Sequence, residues 1–205
     1  MKQTMPPITL LIPAAGQSSR MGGADKLLQM VDGTSCLRTL AMRGLAAGAN
    51  VVVLLNTLGG PRHAALDGLN ITTITVPDAA FGMAHTLRAG IQALPPGTAG
   101  AMILPADMPE ITAQDIRALI DDFLTGPPCP ALRASTADGL PGHPIIFAPE
   151  MFDKFAQLSG DKGANSLLGP LTHQIRLHPL TGNRARLDLD SPEEWAAWQQ
   201  AQQPK

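Results

Sequence analysis

The residues best suited to chemistry lie in a short loop that follows the first apolar run of the chain. Arg20 and Lys26 bring two cations to this loop, and Ser18 adds a hydroxyl group. The small residue Gly16 before them lets the backbone approach a flat or charged ligand closely. Arg supplies a planar fork of donors and Lys a compact charge. The combination indicates a loop that binds a triphosphate, although it matches neither the G-x-G-x-x-G fingerprint nor the P-loop.

An aspartate follows a second apolar run. Asp107 comes just after the predicted strand 101–104, and α/β sheets bind ligands beyond the carboxyl ends of their strands. A carboxylate near phosphates is a natural ligand of Mg²⁺. A lone aspartate before Met-Pro more often belongs to a turn or a helix cap. Because the cationic loop indicates phosphates nearby, we prefer the interpretation that Asp107 binds the metal ion.

Apolar runs and helical segments alternate along the chain, which predicts how these residues are positioned. The pattern favours an α/β fold, with a mostly parallel Rossmann-like sheet and helices on both faces. No linker-like stretch interrupts it, so we predict one domain over residues 1–205. The predicted strands are 8–13, 51–55, 71–76, 101–104, 131–134, 144–147 and 174–178, and the predicted helices are 35–47, 83–94, 112–123, 152–158, 161–168 and a terminal helix after the Ser191 capping box.

The bulk composition excludes several classes of protein. The chain has 15 basic and 17 acidic residues, and only 3% of its residues are aromatic, so nucleic acid is not an expected partner. No apolar stretch reaches the length of a membrane span. The two cysteines form neither a metal-binding spacing nor a disulfide framework. We therefore expect a cytoplasmic protein without membrane or nucleic-acid partners. The 20 glycines and 19 prolines are interpreted as tight turns at strand ends.

The whole cationic loop, A-A-G-x-S-S-R-M-G-x-x-x-K-L, resembles the opening motif of MobA/MocA-like nucleotidyltransferases, which have a GT-A-like fold. A second segment, 82–90, resembles the family's G-M-x-x-S-L-R-A-G element, with a threonine where serine is commoner. The resemblance implies that both segments surround a nucleoside triphosphate. The implied nucleotide-binding residues are Ala14, Ala15, Gly16, Ser18, Arg20, Lys26, Gly82 and Thr86.

Two later segments resemble the acceptor side of the cytidylyltransferase branch, which handles molybdopterin. They are G-L-P-G-H-P-I-I-F at 139–147 and G-D-K-G-A-N-S-L-L at 160–168. The resemblance implies an acceptor site that includes Gly142 and His143, with Asp161 and Lys162 at the N-terminus of a helix. Asn165 stands where the family often has arginine, which weakens any cationic contact at that position.

The terminal segment L-D-L-D-S-P-E-E resembles the family's D-x-D-[ST]-P-E-[DE] element. It implies that Asp190, preferred here over Asp188, completes a Mg²⁺ site with Asp107. The implied reaction moves CMP from CTP to a phosphorylated acceptor and releases pyrophosphate. No protein nucleophile is needed, and Arg20, Lys26 and Asp107 are the implied catalytic residues.

The sequence leaves alternatives open for the acceptor, for the nucleotide and for the class of function. The acceptor is most simply molybdopterin or molybdenum cofactor, but a sugar or polyol phosphate would need the same chemistry. The opening residues are also similar to methylerythritol cytidylyltransferases, which lack the Gly-His-Pro and Gly-Asp-Lys-Gly segments. Ala15-Gly16, where the guanylyl branch has Gly-Gly, favours CTP over GTP or another nucleotide. A different class of function is delivery of the cofactor to a molybdenum-dependent apoenzyme, and the presence of both Asp107 and Asp190 favours the enzyme.

Overall fold

A seven-stranded sheet forms the centre of the molecule in the computed structural model, which describes residues 8–202. Its strand order is β5-β4-β1-β6-β8-β7-β9, and a separate two-stranded hairpin pairs β2 with β3. The strands are β1 (Ile8–Ala14), β2 (Met30–Val31), β3 (Thr34–Ser35), β4 (Asn50–Leu55), β5 (Thr72–Thr75), β6 (Gly100–Ile103), β7 (Ala131–Ser135), β8 (Pro141–Phe147) and β9 (Arg176–Pro179).

Six of the seven strands run in the same direction, and β8 alone is reversed. β1 pairs in parallel with β4 and β6, β4 with β5, and β7 with β9, whereas β8 is antiparallel to both β6 and β7. Reversal places the start of β8 at the edge where the other strands end. The predicted mostly parallel α/β sheet is confirmed.

Helices cover both faces of the sheet, because buried parallel strands are apolar on both sides. Helix α1 begins after the Ser35 cap, and α4 begins at a capping box on Thr112. Helix α5 begins at the predicted capping box on Ser191. The helices are α1 (Cys36–Ala46), α2 (Pro61–Ala64), α3 (Met83–Gln92), α4 (Ala113–Thr125) and α5 (Pro192–Ala201).

Alternate residues of the central strand divide the core into two layers. Leu10 and Ile12 of β1 pack with α1, α4 and the buried Trp195 of α5. Leu11 faces the opposite layer, with α3 and the 3₁₀ segment Pro149–Gln157. This period of two is what a strand buried on both faces requires. Among residues 8–202, no helix combines the length and hydrophobicity that crossing a bilayer demands.

Two predictions about local structure are wrong. The segment 161–168 is not a helix, since residues 159–162 form a turn and a short 3₁₀ element covers only Ala164–Leu167. Asp161 and Lys162 therefore do not stand at a helix N-terminus. The predicted helix 152–158 is a 3₁₀ segment, Pro149–Gln157, that begins earlier at a proline.

Candidate active site

The predicted cationic loop and both predicted metal-binding aspartates meet at one edge of the sheet. The loop leaves β1 at its carboxyl end, and Asp107 follows the carboxyl end of β6. The segment before α5 is pinned there, because the Leu189 amide donates a hydrogen bond to the Asp107 carbonyl at 3.0 Å. The antiparallel β8 also begins at this edge. The fold thus assembles residues that are more than 160 positions apart in sequence.

Lys26 is the centre of a charged cluster. Its Nζ lies 2.5 Å from Oδ2 of Asp107 and 2.7 Å from Oδ1 of Asp190. Arg20 Nη1 lies 2.5 Å from the other oxygen of Asp190. The three side chains of the Lys26 pairs are mostly buried, with exposed fractions of 15 to 21%, whereas Arg20 is exposed. A buried cation between two carboxylates costs desolvation free energy, so the arrangement serves the site more than the stability of the fold.

The cluster perturbs the pKa values of its members. Burial opposes the charge of Lys26, but Asp107 and Asp190 outweigh it and hold the pKa of Lys26 above its ordinary value. Burial also opposes the charge of Asp190, yet Lys26 and Arg20 hold its pKa below the ordinary value. Asp188 differs, because burial and the charges of Asp107 and Asp190 raise its pKa. Lys26 and Asp190 are therefore both charged at neutral pH.

A buried arginine that the sequence analysis missed holds the cationic loop in place. Arg62, in the short α2, donates to the carbonyls of Ala14 and Gly16 at 2.6 Å each and to Ser18 Oγ at 3.0 Å. It also pairs with both oxygens of Asp25 at 2.6 and 2.9 Å. Burial opposes the charge of Asp25, but Arg62 keeps its pKa low. The loop is therefore pre-shaped by one guanidinium.

The charged cluster faces a cavity of about 270 Å³, called here the first cavity. One wall comes from the cationic loop and the other from the segment after β6. Met83 of α3 and Asn165 close its sides. Of the predicted site residues, those that line the first cavity are Gly16, Ser18, Arg20, Lys26, Asp107, His143 and Asp190.

A neighbouring space of about 330 Å³, the second cavity, shares four residues of its wall with the first. The shared residues are Pro105, Asp107, His143 and Asn165. The second cavity also contains Arg133 of β7 and Arg186, two arginines that the sequence analysis missed. The sequence offered one indication of Arg133, because it is the only charged residue of the strand A-L-R-A-S and is half-buried between buried neighbours.

His143 lies where the two cavities meet. Its ring is hydrogen-bonded to the Ile103 backbone, and its Nδ1 is buried without a hydrogen-bond partner among residues 8–202. Burial first, and the charge of Arg133 second, lower the pKa of His143 to about 4. The ring is therefore neutral at pH 7 and presents a lone pair rather than a positive charge.

The remaining predicted residues, apart from Gly142, lie around the cavities rather than in their walls. Ala14 and Ala15 are buried beneath the loop, and Thr86 is buried in α3. Gly82, at φ +116°, packs against the Gly160 carbonyl and the Asp161 side chain, where a Cβ would clash. Lys162 lines neither cavity. Gly142 lines the second cavity and packs closely on the Ala185 carbonyl, so this glycine also allows two backbone segments to touch.

The carboxylates present fit a divalent cation. Asp107 Oδ1 is buried and has no hydrogen-bond partner among the described residues, while its Oδ2 contacts Lys26. Oxygen ligands of this kind suit Mg²⁺ or a similar ion, with water and phosphate oxygens filling the other positions. No group of three or more His, Cys, Asp or Glu suited to a metal occurs within residues 8–202. Any ion here would therefore share its coordination with substrate.

Comparison with known protein families gives an extended match. The family described as "MobA-like NTP transferase domain" matches residues 10–177. The molybdenum cofactor cytidylyltransferase of Escherichia coli is 30% identical over 143 residues, which cover 69% of this chain and 70% of that protein. The purine catabolism protein PucB of Bacillus subtilis is 28% identical over 193 residues, covering 89% and 91% of the two chains.

Solved structures agree with the sequence relatives. The crystal structure of Rv0371c from Mycobacterium tuberculosis superimposes with a TM-score of 0.82 at 26% identity, covering 96% of this chain and all of that one. A second crystal structure of that protein, in complex with manganese, has a TM-score of 0.74 at 25% identity, covering 95% and 98% of the two chains. The described fold thus occurs over nearly the whole length of a solved protein that is about a quarter identical to this chain.

Proposed function

Because this chain belongs to the MobA-like NTP transferases and is a nucleotidyltransferase, we propose that it moves CMP from CTP onto the phosphate of molybdopterin or molybdenum cofactor. The observation that carries the proposal is Lys26, held within 2.7 Å of both Asp107 and Asp190 in the wall of the first cavity. A cation so placed stabilises phosphate charge that builds up during transfer.

The first cavity takes the nucleotide. The backbone of residues 14–16 lies against the base, and Gly82 and Thr86 support this side from α3. Ser18, Arg20 and Lys26 contact the phosphates. Arg62 keeps the loop in its binding shape before the nucleotide arrives, which reduces the entropy that binding must remove.

The transfer needs no covalent intermediate with the protein. An oxygen of the acceptor phosphate forms a bond to the α-phosphorus of CTP, and the bond from that phosphorus to the β-phosphate oxygen breaks. Pyrophosphate leaves with the electron pair, in line with the attacking oxygen. Arg20 and Lys26 stabilise the charge that collects on the pyrophosphate. Asp107 and Asp190 would hold Mg²⁺, which when bound neutralises phosphate charge and polarises the α-phosphate.

The choice of CTP and of a molybdenum cofactor rests on the Ala15-Gly16 motif and on the 30% identity to the E. coli cytidylyltransferase. Gly142, His143, Asp161 and Lys162 belong to the proposed acceptor side. We propose further that the chain acts as one domain in the cytoplasm. Its partners are CTP and a phosphorylated small molecule, and delivery to a molybdenum-dependent apoenzyme is a compatible later step.

The test is release of pyrophosphate by the purified protein with Mg²⁺, molybdenum-loaded molybdopterin and each of the four nucleotides. We expect release with CTP, and a fall of about 100-fold in turnover for Lys26→Ala that exceeds the effect of the substitution on folding. The matched control is Lys154→Ala, which removes an exposed lysine from the 3₁₀ segment Pro149–Gln157 and keeps wild-type turnover.

Each alternative has its own result. Full activity of Lys26→Ala would remove the proposed role of the charged cluster. Release with GTP alone would overturn the choice of CTP. Release with glycerol phosphate or a sugar phosphate, but not with molybdopterin, would reassign the acceptor. Binding of CTP and molybdopterin without any release would instead favour a delivery protein.

A further inference from the structure

Two arginines in the second cavity have no acidic partner. Arg133 Nε donates to the Gly142 carbonyl at 2.8 Å, and Arg186 Nη1 donates to the Pro141 carbonyl at 3.2 Å. Among residues 8–202, no carboxylate forms an ion pair with either guanidinium. Most of their N–H groups are thus available to a ligand, since each guanidinium carries five.

Both guanidinium groups line the second cavity, so the charge of each disfavours the charge of the other. Burial first, and the charge of Arg186 second, lower the pKa of Arg133. Asp107 and Asp188 also line the second cavity, but neither forms an ion pair with Arg133 or Arg186. Two cations that lack a directly paired carboxylate cost free energy, and an anion from outside the chain recovers part of that cost. Two adjacent guanidinium forks match the oxygens of a phosphate monoester.

The second cavity leads directly to the proposed reaction centre. Asp107 and His143 belong to both cavity walls, so a molecule held by Arg133 and Arg186 reaches the side of the first cavity where the α-phosphate is proposed to lie. Asn165, also shared, stands where the resembling family often has arginine. Here the cations come from β7 and from the turn before α5 instead.

His143 adds a second recognition element, which is a hydrogen-bond acceptor rather than a cation. Nδ1 is buried without a partner among the described residues. With the proton of the neutral ring on the other nitrogen, directed at the Ile103 backbone, Nδ1 offers a lone pair and no positive charge to a phosphate dianion. A lone pair facing a phosphate oxygen would be repulsive. The group that satisfies Nδ1 must therefore be an N–H or O–H donor.

Building on the proposed transfer, we propose that Arg133 and Arg186 bind the phosphate monoester of the acceptor and that His143 Nδ1 accepts a hydrogen bond from an N–H or O–H group of the same molecule. The acceptor class is thus a phosphorylated compound whose body carries a hydrogen-bond donor. The arginine pair binds the phosphate, and His143 recognises the remainder of the acceptor molecule through its hydrogen-bond donor.

The experiment measures binding of inorganic phosphate to the full chain by ³¹P NMR, with the first cavity filled by Mg²⁺ and the non-transferring analogue α,β-methylene-CTP. We expect Arg133→Gln and Arg186→Gln each to weaken phosphate binding about tenfold and to leave analogue binding unchanged. Arg184→Gln is the matched control. Arg184 lies on the same turn as Arg186 but contacts Asp115 at 3.4 Å and lines neither cavity.

Arg186 is exposed, so Arg186→Gln tests the site even where Arg133→Gln fails to fold. Phosphate binding that survives Arg186→Gln, or that falls equally in Arg184→Gln, overturns the anion site. If the wild type does not bind the CTP analogue, the proposed transfer fails and the acceptor assignment with it. If the wild type binds the CTP analogue but its phosphate binding does not depend on the two arginines, the proposed anion site is wrong and the proposed transfer is unaffected.

The role of His143 is tested with His143→Leu. We expect the KM for molybdopterin to rise about tenfold while the affinity for inorganic phosphate stays unchanged, because phosphate alone has no body to select. A parallel loss of phosphate affinity would show that His143 contributes to the anion site instead and would overturn its role as a reader of the donor group.

Discussion

The two cavities share a wall but differ in how their cations are balanced. In the first cavity, Lys26 and Arg20 contact carboxylates of the chain itself. In the second cavity, Arg133 and Arg186 contact only backbone carbonyls. Cations matched by internal acids hold a charged cluster together and can share those acids with a metal ion. Cations without such partners are prepared for an anion that arrives from solution. The difference matches the proposed division into a site of transfer and a binding subsite for the acceptor phosphate.

The sharpest test of this comparison uses two aspartates that are two residues apart. Asp190 lines the first cavity and contacts Lys26, whereas Asp188 lines the second. We expect Asp190→Asn to lower turnover about 100-fold, because Lys26, Arg20 and the metal site lose a shared carboxylate. Asp188→Asn is the matched variant. It removes a negative charge near the proposed phosphate site, so the KM of the acceptor should fall about twofold, with turnover nearly unchanged. Pyrophosphate-release kinetics on both variants decide the matter, and equal losses would erase the distinction between the cavities.

A second test removes Arg62, which holds the cationic loop of the first cavity in place, and leaves the second cavity unchanged. Arg62→Met leaves the half-buried Asp25 without its ion-pair partner and frees the carbonyls of Ala14 and Gly16. We expect the free energy of unfolding to fall by about 3 kcal/mol and the KM for CTP to rise about tenfold, while phosphate binding at the second cavity is unchanged. Chemical denaturation and steady-state kinetics provide the readouts.

Two further variants control that test. Arg62→Lys keeps the charge but not the fork, so it should recover part of the stability and little of the KM. Arg117→Met removes an exposed arginine that bonds a single carbonyl, and it should change stability by less than about 0.5 kcal/mol. A normal KM for CTP in Arg62→Met would mean that the loop keeps its shape without this anchor.

The smallest expected effect concerns the shared wall. Because burial lowers the pKa of His143 to about 4 from an ordinary 6.5, the unfolded chain binds a proton between these values and the folded chain does not. Stability contributed by the neutral ring is therefore complete above pH 6.5 and is lost as the pH falls towards 4. Between pH 6.5 and 5, we expect the wild type to lose about 2 kcal/mol that His143→Gln does not lose.

Denaturation at these two pH values checks this prediction. His173→Gln, at an exposed histidine, is the control and should follow the wild type. Identical pH dependence in His143→Gln and the wild type would indicate that the ring is protonated inside the fold. His143 would then be a cation like Arg133 and Arg186 rather than a neutral hydrogen-bond acceptor.

Most of the sheet could be predicted, because buried strands are apolar runs and the capping boxes at Thr112 and Ser191 mark helix starts. The hairpin of β2 and β3 was missed, although Asp32-Gly33, both at positive φ, is a typical hairpin turn. The 3₁₀ element Ala164–Leu167 could not be told from a helix, since four residues carry too little periodicity.

The residues of the candidate site likewise include some that the sequence indicates and some that it does not. Arg20, Lys26 and Asp107 belong to local motifs, so their sequence neighbours indicate them. Arg62 and Arg186 have no such motif, and their contacts lie dozens of residues away along the chain. Only the folded backbone brings such residues together, which is why reading the sequence could not find them.

The reversed strand has a consequence for redesign. Because β8 runs against its neighbours, the connection at residues 136–140 between β7 and β8 projects at the same edge as the cationic loop, yet β8 pairs with β6 and β7 and not with β1. Residues 136–140 line neither cavity, whereas Pro141 and Gly142, which follow them, line the second. A change at the tip of this hairpin would therefore act on the proposed acceptor side through those two residues, while the cationic loop keeps its native sequence.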